Sequence, residues 1–326
     1  MGNRPLKLPP MLHRILILGF LVHLASFWMP WVGFTSWIQF GNNINPPITH
    51  LQNVDFYIWN GTGYDGQFYA QLACQPDLSD PELRTAIDSL PYRARRMFTC
   101  WTAWLLGGGH PAAILQVFAV QPVLAWLAIS ALLKRWYRLE TPEGLLRWSC
   151  TVFACGLVGC IYQTVPDAPA LLLTLATLIL YESGRFRAAL TCLAMAALTR
   201  ENCLLGLVIF CPSLRDGRGA WAKFFGRCIA AALPLVLWVT YLKYGLQLKV
   251  DGGSRSFAMP LYGWGWAVNN VYHLGLPSYD WKPRLWNGLA LLGLAVQAVW
   301  LLARPNWSNP CWRLGAAYGA LLLVLG

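Results

Sequence analysis

The sequence predicts an all-α fold: a polytopic bundle of transmembrane helices, with a long first outer loop that carries a short helix. Three observations lead there. Hydrophobic residues fill 56% of the 326 positions and charged residues only 12%, about half the charged share of an ordinary soluble domain. Mean hydropathy is +0.43. The apolar residues fall in runs near the ~20 residues that cross a bilayer core, and Lys and Arg collect in alternate gaps between those runs. This composition excludes a disordered chain, a coiled coil and a collagen-like repeat, and it leaves too little charge to solvate a globule's surface. Cationic flanks on the cytoplasmic side account for the formal charge of +11, so no nucleic-acid partner is called for.

The runs are read in chain order. Ile15 to Phe34, extending toward Phe40, is the first span. It is too long for a signal-peptide core and lacks a small-x-small cleavage site, so we read it as retained. Residues 41–96 form the first extracytoplasmic loop. Within it, Ser79-Asp80-Pro81-Glu82 reads as a helix start, with a cap and an early proline, for a short helix over Asp77 to Leu90. Met97 to Leu106 is apolar but short and ends at three glycines. Pro111 to Leu133 is a full span, Leu145 to Tyr162 another, and Ala168 to Tyr181 a short one. Phe186 to Leu198 and Asn202 to Phe210 are two short pieces divided by Thr199-Arg200-Glu201. Cys228 to Tyr244, Leu285 to Ala303 and Leu314 to Gly326 complete the series. The chain stops inside its last apolar run, which we read as a C-terminally incomplete single transmembrane domain over 1–326.

With the N-terminus inside, the inner segments 1–14, 134–147, 182–187, 213–227 and 304–313 hold 15 of the 25 Lys and Arg and four acids. The remainder balances ten of each. The expected location is a plasma (inner) membrane, crossed several times, with the N-terminus cytoplasmic and the functional face extracytoplasmic. The ten cysteines show no CxxC and mostly lie in apolar runs, as small buried hydrophobes do. Cys74 and Cys100 are the one pair placed to meet on the outer side, where a disulfide is an open expectation.

Polar residues that interrupt apolar sequence are costly unless paired or used, and several fall on the outer face. Gly63-Tyr64-Asp65-Gly66-Gln67-Phe68-Tyr69 sets an acid between two glycines that permit a tight turn and close approach, with aromatics on either side. Turn capping explains Asp65 as readily as chemistry does. Pro91-Tyr92-Arg93-Ala94-Arg95-Arg96 lies on the wrong side for the charge rule. Its guanidiniums suit phosphate oxygens or salt bridges to Asp77, Asp80 and Asp88. Asp167 reads as a helix N-cap or a cavity ligand, and Arg200 as a phosphate contact or a partner for Glu201. Gly252-Gly253-Ser254-Arg255 offers a weak anion cradle, and His273 reads as a bonded structural residue. The five histidines are dispersed, so zinc is not expected. No Walker loop or dinucleotide fingerprint occurs. A divalent cation on Asp55, Asp65 or Asp167 is left open.

The stretch Tyr64-Asp65-Gly66-Gln67-Phe68-Tyr69, the later Pro91-to-Arg96 segment, the Asp167 step and Leu198-Thr199-Arg200-Glu201 resemble the GT-C superfamily of membrane glycosyltransferases. They are similar in particular to uncharacterised bacterial members implicated in cell-surface glycopolymer formation. The resemblance covers most of the chain through short motifs. It implies a polyprenyl-phosphate-linked sugar as donor, a glycan or lipid acceptor in the cell envelope, and an active site on the non-cytoplasmic face. An outer-loop aspartate is the catalytic base in that superfamily, a role that maps onto Asp65, with Asp55 as competitor. Tyr64, Gln67, Arg95, Arg96, Asp167, Arg200, Glu201 and Arg255 are then the candidate substrate contacts. Two other classes fit the same features: a transporter or flippase for a lipid-linked sugar, and a non-catalytic membrane scaffold.

Overall fold

A computed structural model describes residues 8–9, 11–213, 215–249, 259, 262–263, 265, 268–269 and 281–324. The chain is mostly helical, and its main helices run back and forth between two ends. Helix α1 spans Leu12–Ala25. It is shorter than the expected first span because Pro30 and Gly33 turn the chain, with Trp31 and Gly33 at positive φ. Gln116 locks that turn: its side-chain oxygen accepts from Phe34 N at 3.0 Å and its nitrogen donates to Val32 O at 2.9 Å.

The first loop contains a two-residue parallel pairing, Phe40–Gly41 with Ile58–Trp59, and its principal helix is α2, Gly66–Cys74. The helix expected over Asp77 to Leu90 is replaced by two single turns, α3 (Leu83–Ala86) and α4 (Leu90–Arg93). The acids of that stretch are committed elsewhere. Glu82 accepts from Thr49 N and Thr49 Oγ1, each at 2.6 Å, and Asp88 binds Arg93. Ile87 is extended between the turns. Cys74 and Cys100 are both buried and both free, so the disulfide left open above is absent. Burial pushes the Cys74 thiol up to about 12.

After α5 (Phe98–Leu106) and α6 (Pro111–Leu133) come α7 (Pro142–Val152) and α8 (Cys155–Tyr162), which together pass as one span bent by 41°. The break frees the Val152 carbonyl, and the indole N–H of Trp126 donates to it at 2.8 Å. A backbone group away from water needs such a partner. Helix α9 covers Asp167–Glu182 and α10 Phe186–Thr199. Arg200 is then extended, at φ −153° and ψ 122°, and Glu201–Phe210 returns as a 3-10 helix. Its ten residues are long for that helix type. The return packs tightly on α10, because a Cβ on Gly206 would sit 2.7 Å from the Leu193 side chain. Helix α11, Arg218–Thr240, continues through a π-helical turn to Gly245. Trp281–Ala303 and Pro310–Val324 follow.

Among the described residues, Pro111–Leu133 and Arg218–Gly245 are long and apolar enough to cross a membrane, and the bent pair makes a third. Leu12–Ala25, Phe186–Thr199 and Glu201–Phe210 are apolar but shorter. The core runs from Leu24 through Tyr69, Met97 and Trp126 to Trp148 and Ile161. On α11, Phe225, Ile229, Val236 and Leu237 are exposed, an apolar stripe suited to lipid.

Contacts assign the loops to two ends. Leu8 N donates to Glu140 O, Arg135 pairs with Glu182, Tyr181 packs on Phe186 and Phe210, and Arg313 reaches the Cys211 carbonyl. These gather the basic segments at one end. At the other, His23 meets Tyr162, Arg96 meets Glu201, and the Trp238 indole donates to Ala94 O at 2.7 Å. The described basic segments thus lie together at one end of the bundle, away from the Arg96–Glu201 pair.

Candidate functional site

Asp65 sits at the N-cap of helix α2, with no side-chain cap bond. Gly63, at φ +68°, takes a left-handed conformation that other residues rarely adopt, and a Cβ there would collide with the Gln39 carbonyl. A Cβ on Gly66 would meet the Gln163 carbonyl. Gly63 thus serves close packing within the first loop, and Gly66 the close approach of that loop to the α8–α9 corner. Gln67 is buried and spans the loop: its oxygen accepts from Gly41 N at 3.0 Å and its nitrogen donates to Thr62 O at 2.9 Å. Both ends of that amide are therefore engaged within the loop. Tyr64 stands exposed beside it.

Arg93 holds Asp65 by both oxygens, Nη1 to Oδ2 at 2.6 Å and Nη2 to Oδ1 at 2.8 Å. The same guanidinium binds Asp88 through Nε at 3.1 Å and Nη2 at 2.9 Å. Phe68 and Tyr69 face its carbon at 5.1 and 5.4 Å. The Arg93 side chain is 7% exposed and that of Asp65 46%, so a buried cation anchors a carboxylate that reaches solvent. Burial lowers the Arg93 pKa, but the hydrogen bonds to Asp88 and Asp65 outweigh it and the net direction is upward.

One turn further, Arg96 lies 4.2 Å over the Tyr92 ring. It donates to Glu201 at 2.8 Å, to Tyr69 Oη at 3.1 Å and to Tyr92 Oη at 2.7 Å. Arg95 approaches Glu201 at 3.5 Å, and its buried Nε has no hydrogen-bond partner among the described residues. Burial raises the Glu201 pKa, but the hydrogen bond and charge of Arg96 prevail and it is held below the ordinary 4.5.

Asp167 is not the N-cap. Pro166 holds that position without a side-chain cap bond, and the Asp167 carboxylate pairs instead with Arg200. The charges at the α10 reversal are thus divided: Arg200 turns to Asp167 at the start of α9, and Glu201 to Arg96 and Arg95 of the loop. A cavity of 400 Å³ opens beside the Arg200–Asp167 pair, with Leu171, Leu314 and Tyr318 in its wall. A charged mouth over an apolar wall suits an amphiphile.

The structure accordingly brings Asp65, Arg95, Arg96, Asp167, Arg200 and Glu201 to one end of the bundle. Asp55 is exposed and has no ion pair or hydrogen bond among the described residues. Arg255 and His273 lie outside the described residues. Arg93 and Tyr92 organise the cluster; sequence offered Arg93 as a phosphate contact or a partner of Asp88, and the Asp88 pairing is present, whereas Tyr92 was not singled out as a site residue. The signal that could have found Tyr92 was its place inside the arginine run, where an aromatic face can hold a guanidinium. Among the described residues no three His, Cys, Asp or Glu side chains gather as a metal site. Asp65 and Asp167 each face an arginine, so the carboxylates left open for a divalent cation do not converge there. No family model, curated protein or solved structure matches the chain.

Proposed function

We propose that this is a multi-pass plasma-membrane glycosyltransferase of the GT-C type. It would move a sugar from a polyprenyl-phosphate donor to a cell-surface glycan or lipid acceptor on the extracytoplasmic face, with its N-terminus in the cytoplasm. The observation that carries the reading is Asp65: a half-exposed carboxylate held by both oxygens on a buried arginine.

An ionised carboxylate offers about four lone-pair sites, and Arg93 uses one on each oxygen. The remaining face can accept a hydrogen bond from an acceptor hydroxyl, as a general base must. The acceptor oxygen attacks the anomeric carbon, its proton passes to Asp65, and the bond from that carbon to the phosphate oxygen breaks. The electron pair leaves with polyprenyl phosphate. Negative charge that develops there calls for fixed donors, and Arg95, Arg96 and Arg200 are at hand. Arg95 is the best supported of the three, since its buried Nε is unengaged. The cavity beside Arg200 suits the start of the lipid chain, and exposed Tyr64 suits a sugar face. Asp55 is the alternative base.

The test is a transfer assay on purified protein with labelled polyprenyl-phosphate sugars and membrane-lipid acceptors. Asp65→Asn should abolish polyprenyl-phosphate release while the protein elutes and melts as a folded species, and Asp55→Asn should retain it. Full turnover by Asp65→Asn overturns the assignment. Sugar that changes leaflet without changing its covalent partner would replace the enzyme by a flippase.

A further inference from the structure

At the opposite end of the bundle a second cavity, of 420 Å³, opens between the foot of α11, the end of the 3-10 helix and the 304–313 turn. Lys223, Arg227 and Arg313 line it, with Asp216 as the one acid. The balance of charge differs from that at the Asp65 end. There Arg93, Arg95, Arg96 and Arg200 all face carboxylates. Here none of the three cations has a carboxylate within salt-bridge distance among the described residues; Asp216, the cavity's one negative charge, accepts from the Ser213 N–H at 2.8 Å.

Two of the cations are nevertheless held in place. Arg227 lies over the rings of Phe186 at 5.1 Å and Phe210 at 5.9 Å, which fix its guanidinium without neutralising it. Arg313 is 6% exposed. It donates from Nη1 to the Cys211 carbonyl and from Nη2 to Ile209 O at 2.9 Å, while its buried Nε has no partner among the described residues. A buried cation that meets only carbonyls and aromatic faces is costly without a counter-charge. Arg313 is such a cation, and half-buried Arg227 and exposed Lys223 add two more positive charges to the same cavity.

We propose that this cavity binds a phosphate-bearing anion, by chemistry separate from anything at Asp65. Arginine forks match phosphate oxygens and lysine adds a point charge. Ser213 and Ser308 line the same cavity as further donors. The apolar stripe of α11 lies on another face of the helix from Ala220, Lys223 and Arg227, so a phospholipid headgroup would reach the cavity around the foot of α11 from the bilayer edge and a free phosphate from water.

The experiment uses the full chain purified in a neutral detergent. Native mass spectrometry would count bound phosphatidylglycerol against phosphatidylcholine, and calorimetry would titrate inorganic phosphate. The variants are Arg227→Gln and Lys223→Gln, with Arg187→Gln as control, an exposed cation of the same end that does not line the cavity. Arg313 is left intact because it also holds the carbonyls of the 3-10 helix. A charge-assisted bond to phosphate supports loss of about tenfold in affinity for Arg227→Gln, with Arg187→Gln close to wild type. Selective phosphatidylglycerol binding identifies a headgroup site, and saturable phosphate binding identifies a soluble anion; both sustain the proposal if Arg227→Gln weakens them. Equal losses in Arg227→Gln and Arg187→Gln, or no saturable binding of either probe by the wild type, would overturn it.

Discussion

Replacing Glu201 by glutamine removes one charge and leaves the shape of the side chain nearly unchanged. The consequence falls on Arg95 and Arg96, whose side chains are 11% and 9% exposed and whose shared carboxylate is this one. Breaking a buried pair from one side costs about 3–5 kcal/mol. Glu201 is 29% exposed and glutamine can still accept one hydrogen bond, so a loss discounted to just below that range, about 2–3 kcal/mol, is expected. At about 2 °C per kcal/mol for a chain of this size, the apparent Tm should fall by about 4–6 °C. A thiol-reactive dye reporting exposure of the buried Cys74, Cys100 and Cys203 follows the transition. The pH dependence supplies a second reading. The folded pKa of Glu201 lies below its ordinary 4.5, so its stabilisation is complete above that value and is lost as pH falls through the folded pKa. The gap between wild type and Glu201→Gln should therefore be full at pH 7 and close below pH 4.5. A double cycle with Arg96→Gln should show coupling of about 1–3 kcal/mol. Strictly additive losses, or a gap indifferent to pH, would refute the link between the loop and the α10 reversal.

Gly63→Ala should destabilise by about 1–2 kcal/mol or more, because alanine at positive φ is strained and its methyl would press on the Gln39 carbonyl; the same melting assay measures it, and an unchanged Tm would contradict the tight turn that presents Asp65. Gly206→Val should be worse tolerated than Gly226→Val, since Gly206 abuts Leu193 whereas Gly226 faces open space; relative yield and Tm of the two proteins decide it. Thr49→Ala removes the hydroxyl donor that heads the causes holding Glu82 below its ordinary value. Titration of Glu82 by NMR should move upward toward 4.5, and no movement would remove that bond from the account.

Much of the fold was legible because burial in lipid imposes length and polarity rules that a sequence states openly. Pro111 to Leu133 was delimited to the residue. The basic segments 134–147, 182–187, 213–227 and 304–313 gather at one end, where the charge asymmetry placed them. What escaped were features decided by partners distant in the chain. Ser79-Asp80-Pro81-Glu82 carries every local mark of a helix start, yet Thr49 recruits Glu82 and Arg93 recruits Asp88. Asp167 has the local context of a cap, yet Arg200, 33 positions later, takes its carboxylate. A propensity counts neighbours along the chain, and a salt bridge between loops is invisible to it.

The candidate site divides along the same line. Its residue types were readable from sequence: an acid between glycines, arginines where the charge rule disfavours them, and an Arg-Glu step between short apolar pieces. Apart from the Arg93–Asp88 pair, one of the alternatives read from the arginine run, the assignment of charges to one another was not. Sequence offered Arg200 and Glu201 as mutual partners, but two adjacent residues at an extended corner point apart, and each pairs with a different element. This bears on chemistry as well as packing. With every arginine near Asp65 already facing a carboxylate, an incoming phosphate must compete with Glu201 or Asp167 for its cations. Binding there exchanges one anion for another. At the opposite cavity, Lys223, Arg227 and Arg313 line the wall with Asp216 but form no salt bridge with it or with any other carboxylate among the described residues. If both sites take phosphate, the cavity at the foot of α11 should be the tighter, and the Asp65 end should gain affinity when Glu201 is neutralised. Phosphate titration of Glu201→Gln against wild type, with Arg227→Gln in both backgrounds to silence the other cavity, separates the two. A weaker response in Glu201→Gln would mean that the carboxylate organises the arginines for phosphate rather than occupying its place.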